Sequence, residues 1–172
     1  METIKGLKRT NYCGELRIED AGKEVTLFGW CQRQRDLGNL IFIDLRDRTG
    51  LVQLSFNDTT DREVFAKAQS VRAEYVVAAV GTVCERESKT NKIATGDIEI
   101  NVKEFRIISK AETPPFEIAK SEKVGDETTL KYRYLNLRNE KLTKNILMRH
   151  KIAKIAREYF YANDFIEIET PM

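Results

Sequence analysis

Histidine is almost missing from this 172-residue chain: His150 is the only one. Histidine-paired zinc sites are thereby excluded, and a Ser-His-Asp or Cys-His nucleophile system has little to draw on. His150 itself falls in a helical pattern, where packing or a surface role is the simpler reading. Cysteine is scarce too. Cys13, Cys31 and Cys84 are odd in number and widely spaced, which fits neither a disulfide framework nor a CxxC metal site. They read as free thiols of a cytoplasmic protein. No GxxxxGK[ST] loop and no GxGxxG occurs, so the common nucleotide-binding folds drop out. Apolar runs such as Tyr75 to Val80 fall far short of the roughly 20 residues that span a bilayer, and residues 1–10 carry lysines and Arg9 without an apolar stretch. Both features argue against a membrane partner and against secretion. Neither charge is in excess: 29 Lys+Arg against 27 Asp+Glu leave +2, so any nucleic-acid binding must rest on local placement of charge.

What is present is 41% apolar, enough for one ordinary core and the start of a second. Alternating or continuous apolar character predicts strands at Val25–Gln34, Leu40–Arg46, Leu51–Phe56, Tyr75–Glu85 and Asp97–Ile108. Between the third and fourth, Thr60 to Val71 reads as a helix, with Thr60 and Glu63 in capping-box spacing and Val64, Ala68 and Val71 on one face. Five strands with a helix between the third and fourth is the order of an OB-fold, a mainly β Greek-key barrel. Residues 109–127, with Pro114 and Pro115 and a mixed-charge stretch of little periodicity, read as a hinge or linker. Beyond it Leu142, Ile146, Ala153, Ala156 and Phe160 recur at helical spacing, widened by Met148, Ile152, Ile155 and Tyr159. Phe165–Glu169 then alternates like a strand. A helix and strand with so much apolar surface and nothing to pack on predict the opening of a larger domain, so the chain reads as truncated. The expected division is a barrel at 1–108, the hinge at 109–127, and a helix-strand segment at 128–172.

The hairpin from Leu40 to Phe56 is the most informative stretch. The parity holding Ile41, Ile43 and Leu45 is aliphatic and belongs to the core, which turns Phe42 and Asp44 to the other face. The same argument buries Val52, Leu54 and Phe56 and turns Gln53 and Ser55 out. If Asp47 pairs with Gly50 across Arg48-Thr49, Ile43 meets Leu54, Leu45 meets Val52 and Asp44 meets Gln53. Phe42 and Gln53 are then diagonal neighbours on one exposed face, a stacking platform beside an amide that can read a base edge. Arg33, Arg35 and the nearby Lys23 supply positive charge. Glu99 and Asn101 face outward from the last strand, because Ile98, Ile100 and Val102 take the core parity. A carboxylate there can accept from guanine or cytosine amino groups, so Glu99 need not oppose RNA. Taken singly, an outward phenylalanine is more often a protein contact, and lone polar residues are most often solvated. The functional reading rests on their convergence.

Several runs together resemble one family. They are Arg9-Thr10-Asn11-Tyr12-Cys13-Gly14-Glu15-Leu16, Val25-Thr26-Leu27-Phe28-Gly29-Trp30, Arg33-Gln34-Arg35-Asp36-Leu37-Gly38 leading into Leu40 to Gly50, Ala94 to Ile100, and Leu130 to Arg138. The sequence resembles the N-terminal part of bacterial-type aspartyl-tRNA synthetases, class II enzymes, over nearly its whole length. The resemblance implies an OB-fold that binds the anticodon loop of aspartate tRNA, followed by the start of an α+β catalytic domain. Phe42 would stack on the central uridine, with Gln53 and Arg35 hydrogen-bonding it. Glu99 would read the first base, a guanine or its queuosine derivative, and Arg86 and Asn91, around the loop from Glu85 to Gly96, the third, a cytosine. Phe165 to Pro171 looks like the end of motif 1, which would place Ile166, Ile168 and Pro171 at a homodimer interface. Motifs 2 and 3, which hold ATP and the reacting carboxylate, have no counterpart here. The family's ATP and Mg2+ are therefore not expected to act on this chain, which would carry no catalytic residue and no metal ligand and would be inactive by itself. Three departures stand out. The loop from Glu85 to Gly96 is shorter than in some relatives, and Asn136 replaces a common Asp. Leu37 stands where relatives that also charge asparagine tRNA often have His.

Within the same superfamily the rivals are lysyl and asparaginyl synthetases, against which the Arg-Asp-Leu-Gly and Asp-Leu-Arg-Asp-Arg runs speak. A free-standing OB module binding single strands without base preference would not need the segment from Leu130 onward. A third reading makes the Phe42 face a protein-protein contact. DNA is not an expected partner.

Overall fold

The computed structural model describes residues 2–171. Two units are present, one running to Pro114 and one from Pro115. In the first, β1 (Glu24–Asp36), β2 (Ile41–Arg46), β3 (Leu51–Phe56), β4 (Val76–Glu85) and β5 (Ile98–Ser109) close a barrel in the order β1-β2-β3-β5-β4, with α1 (Arg62–Ser70) between β3 and β4. Neighbours are antiparallel except β3 and β5, whose parallel pairing sets Gln53 beside Glu99 and Ser55 beside Asn101. This is the five-stranded OB order expected from the strand pattern.

Alternation builds the core. Val25, Leu27, Ile41, Ile43, Leu45, Val52, Leu54, Phe56, Ile98, Ile100, Val102 and Phe105 are buried inside, and Phe56 meets Phe105 edge-on with centroids 5.1 Å apart. The β2–β3 hairpin has the expected register, Ile43 with Leu54, Leu45 with Val52 and Asp44 with Gln53. Its turn is closed by the Asp47 N–H donating to the Gly50 carbonyl at 3.0 Å. Helix α1 packs Ala68 on the core, with Val64 and Phe65 partly buried against it. Its N-cap is Asp61 rather than Thr60: the Asp61 carboxylate accepts from the Glu63 and Val64 N–H groups, while the Thr60 hydroxyl accepts from the Asn57 N–H one turn earlier. A carboxylate next to the helix dipole outcompetes a hydroxyl one residue away.

Strand β1 holds the feature that most affects the outer face. A bulge falls between Cys31 and Arg33. Before it Val25, Leu27, Gly29 and Cys31 point inward; after it Gln34 takes the inner parity, and its amide donates to the carbonyls of Ala68 and Gln69. The extra residue, Gln32, transfers Arg33 and Arg35 to the side of Phe42 and Asp44.

Two polar ties brace the barrel. The Asp47 carboxylate accepts from the Cys13 N–H at 2.7 Å and from the Thr49 N–H and hydroxyl, latching residues 12–16 to the hairpin turn. Glycine is required at the latch, since a Cβ on Gly14 would lie 2.3 Å from the Thr49 carbonyl oxygen. Arg46 Nη2 donates at 2.9 Å to both carboxylate oxygens of buried Glu74, which holds a positive φ of 65°.

The second unit gathers Phe116, Ile118 and Leu135 into a small core with Val124 and Tyr132. The segment expected as a hinge contains a short 3₁₀ stretch at Ile118–Lys123, and Asp126–Lys131 (α2), Arg133–Asn136 (α3) and Glu140–Ala162 (α4) follow. Asn139 caps α4, its side-chain oxygen accepting from the Lys141 N–H, and its amide donates to the Ile118 carbonyl. Asn136 is buried. Along α4, Ile146, Met148, Ile152, Ile155, Tyr159 and Phe160 are all exposed. The alternation at Phe165–Glu169 does not form a strand, because no other strand lies alongside it among the described residues. Ile166, Ile168 and Pro171 stand exposed there.

Candidate nucleic-acid interface

The outer face of β1, β2, β3 and β5 brings together Arg35, Phe42, Asp44, Gln53, Arg86 and Glu99. Phe42 is half-buried and pairs in register with Arg35, whose guanidinium carbon lies 5.5 Å from the ring centroid. Gln53 is the hub. Its side-chain oxygen accepts from Arg35 Nη2 at 2.9 Å and from Arg86 Nη2 at 2.8 Å, and its amide nitrogen donates to Glu99 Oε2 at 2.8 Å. Arg35 Nη2 also donates to Asp44 Oδ1 at 2.9 Å. Two guanidiniums and two carboxylates therefore balance in charge around one amide.

Five of the six anticodon-reading residues expected from the resemblance meet in this cluster. Asn91 does not: it stands exposed in a turn and is not bonded to the other members. Arg86 is assembled with Gln53 at the centre of the face. Its backbone N–H donates to the Asp97 carbonyl, which fixes the root of the loop.

Three expectations are corrected. Gln53 and Ser55 point to the outer side as their parity requires, but they are 4% and 3% exposed. Arg35, Arg86 and Glu99 bond over Gln53, and the Ser55 hydroxyl donates to the Ile100 carbonyl. Lys23 belongs to the opposite end of β1, where its ammonium pairs with Asp20 at 2.7 Å, so it adds nothing to the cluster. The partnership of Asp44 with Arg35 was missed. Its visible signal was an acidic residue two positions from Phe42 on a face rich in arginine.

Chemically the face offers an aromatic plane, two guanidiniums and two carboxylates gathered over a covered amide. Arg35 Nε is a buried donor without a partner among the described residues. A base stacked on Phe42 meets donors and acceptors on its edges, the combination by which unpaired bases are read. The thiols of Cys13 and Cys31 are buried and held in the neutral form. Burial first, then Asp44 and Glu74, pushes Cys31 up to about 12, and burial together with Asp47 raises Cys13 further. Among the described residues no group of three His, Cys, Asp or Glu is placed to hold a metal ion, and no helix is long and apolar enough to cross a membrane.

Comparison with known proteins matches two stretches of the chain. Residues 25–108 match the OB-fold nucleic acid binding domain, and residues 125–172 match the tRNA synthetases class II (D, K and N). An aspartate-tRNA ligase of Ruminiclostridium cellulolyticum is 51% identical over 99% of this chain and 29% of its own length. An aspartate-tRNA(Asp/Asn) ligase of a Thermoanaerobacter species is equally identical over the same shares. The chain thus spans under a third of the length of these curated relatives. Among solved structures, the aspartyl tRNA synthetase of Entamoeba histolytica superposes with a TM-score of 0.87 at 27% identity, covering 97% of this chain and 40% of that one.

Proposed function

We propose that this chain, which matches the OB-fold nucleic acid binding domain over residues 25–108 and the class II (D, K and N) tRNA synthetases over residues 125–172 and is 51% identical to a curated aspartate-tRNA ligase, recognises the anticodon loop of aspartate tRNA. The observation that carries the reading is the convergence of Arg35, Gln53, Arg86 and Glu99 beside the half-buried ring of Phe42. Phe42 takes the central uridine by stacking. Arg35 and Gln53 address its edge, and Glu99 accepts from the amino groups of a guanine at the first position. Arg86 and Asn91 take the cytosine at the third, with Asn91 reaching it from the exposed turn.

The parent reaction is the activation of aspartate by ATP to an aspartyl-adenylate, followed by transfer to the terminal ribose of the tRNA. It belongs to a cytoplasmic homodimer, to whose interface Ile166, Ile168 and Pro171 contribute. ATP and Mg2+ serve that parent reaction. Relatives named for aspartate tRNA alone and for both aspartate and asparagine tRNA are equally identical. Leu37, exposed in the β1–β2 loop, is the residue on which restriction to aspartate tRNA rests in this reading.

The test is binding to two hairpin RNAs carrying the aspartate anticodon, one with its central uridine and one with cytidine there. Preference for uridine, weakening with salt as phosphate contacts are screened, is the expected result. Equal binding of both hairpins rejects the proposal in favour of a module without base preference. Binding of neither leaves the Phe42 face as a protein contact.

A further inference from the structure

The Arg35 guanidinium is asked to do two things. It must lie over Phe42, and it must share the single Gln53 oxygen with Arg86. Two cations converging on one neutral acceptor repel, and an arginine side chain that is 37% exposed is free to leave for water. One further contact opposes that escape: Arg35 Nη2 donates to Asp44 Oδ1 at 2.9 Å, in an ion pair whose acidic partner is 29% exposed. The hairpin places Asp44 directly opposite Gln53, and the bulge in β1 places Arg33 opposite Asp44 and Arg35 opposite Phe42. Asp44 is thereby held at one fixed spot between the two arginines of β1 and the hub. The other carboxylate of the face, Glu99, bonds the far atom of the Gln53 amide, so it cannot take over.

We infer that Asp44 is a positioning residue for base reading: it holds the Arg35 guanidinium over Phe42 and against Gln53 without itself contacting a base. The inference rests on the proposed function and deepens it. It also makes a prediction with two signs. Asp44 is a negative charge on a face that meets phosphates, so removing it favours RNA binding in general. Removing it also frees Arg35, which weakens the binding of the one base that Arg35 reads.

The experiment measures wild type, Asp44→Ala, Asp44→Glu, Arg35→Ala and the double variant combining Asp44→Ala with Arg35→Ala, at one salt concentration, with the uridine hairpin and its cytidine counterpart. Thermal melting establishes that each variant is folded, and Asp44→Asn, which keeps the shape and removes the charge, repeats the test should Asp44→Ala unfold. The expected result is that Asp44→Ala binds the cytidine hairpin at least as tightly as wild type. Its preference for uridine falls roughly tenfold, the size of one well-placed charge-assisted hydrogen bond. Asp44→Glu recovers part of the preference, and in the Arg35→Ala background the Asp44 substitution changes the preference no further. A wild type that prefers uridine and an Asp44→Ala variant that keeps that preference overturn the inference alone. So does a loss that persists undiminished without Arg35. A wild type with no preference overturns both the inference and the function on which it rests.

Discussion

Phe42 is an aromatic ring set on the outside of a barrel whose interior is already filled, so its removal tests function with little cost to the fold. Phe42→Ala is expected to weaken binding of the aspartate-anticodon hairpin by about 1–3 kcal/mol, the contribution of one stacked base, while the melting temperature stays near that of wild type. Equal affinities with both proteins folded would end the stacking role. Asp47 makes the opposite case. Burial pushes its carboxyl upward, but the Cys13 N–H and the Thr49 hydroxyl and N–H outweigh it and hold the group below its ordinary range. A carboxyl depressed in the folded state contributes stability that is complete above the unfolded value and is lost as pH falls through the folded one. Asp47→Asn is therefore expected to lower stability at neutral pH by about 1.5–3 kcal/mol, the scale of hydrogen bonds to a charged group. The difference from wild type should shrink on acidification below about pH 4, as chemical denaturation at a series of pH values would show. A difference that stays constant to pH 2.5 or so would assign the latch to shape rather than charge.

At the scale of elements, the β2–β3 hairpin was legible because two independent parities agreed on one register, and a slip by one residue would have put Phe42 and Asp44 into the core. The outward turn of Glu99 was legible for the same reason. The bulge at Gln32 was not: a run such as Gln32-Arg33-Gln34-Arg35 is polar in both parities and gives no sign of which side each residue takes. The burial of Gln53 was hidden too, since it depends on arms reaching over from three other segments. The alternation at Phe165–Glu169 predicts a strand, but pattern supplies only a preference and pairing supplies the structure. At α1, Thr60 and Asp61 both suit a cap, and which one serves is decided by where the chain leaves β3.

For the molecule as a whole, the contrast lies between a closed barrel and a helix with an uncovered face. The barrel strands are paired on both sides with no edge. The apolar residues of α4, Ile152 at 61% and Ile155 at 65% exposure among them, are left uncovered by the described residues of the second unit. Amides from Leu142 to Phe160 are therefore expected to exchange faster than those from Ile41 to Leu45 and to be cut first by protease, unless the chain associates through that helix. Hydrogen exchange read beside sedimentation decides this. A monomer in which both stretches exchange equally slowly would contradict the exposed helix.

The bulge acts on β1 as a frameshift acts on a message. Upstream of Gln32 the alternation sends odd-numbered residues to the barrel interior, and downstream it sends them to the outer face. Were the bulge straightened with every residue kept in the ladder, the first frame would run on through Arg35. Both guanidiniums of β1 would then face a greasy interior with no room for them, and Gln34 would lose the carbonyls of α1. The side chain at position 32 matters less, for it accepts only a long hydrogen bond, 3.4 Å, from Arg46. What this stretch preserves is the side each guanidinium takes: a change of spelling at Gln32 is tolerated, and even its removal would leave Arg33 and Arg35 outward on a straightened strand, whereas ironing the extra residue into the ladder would not.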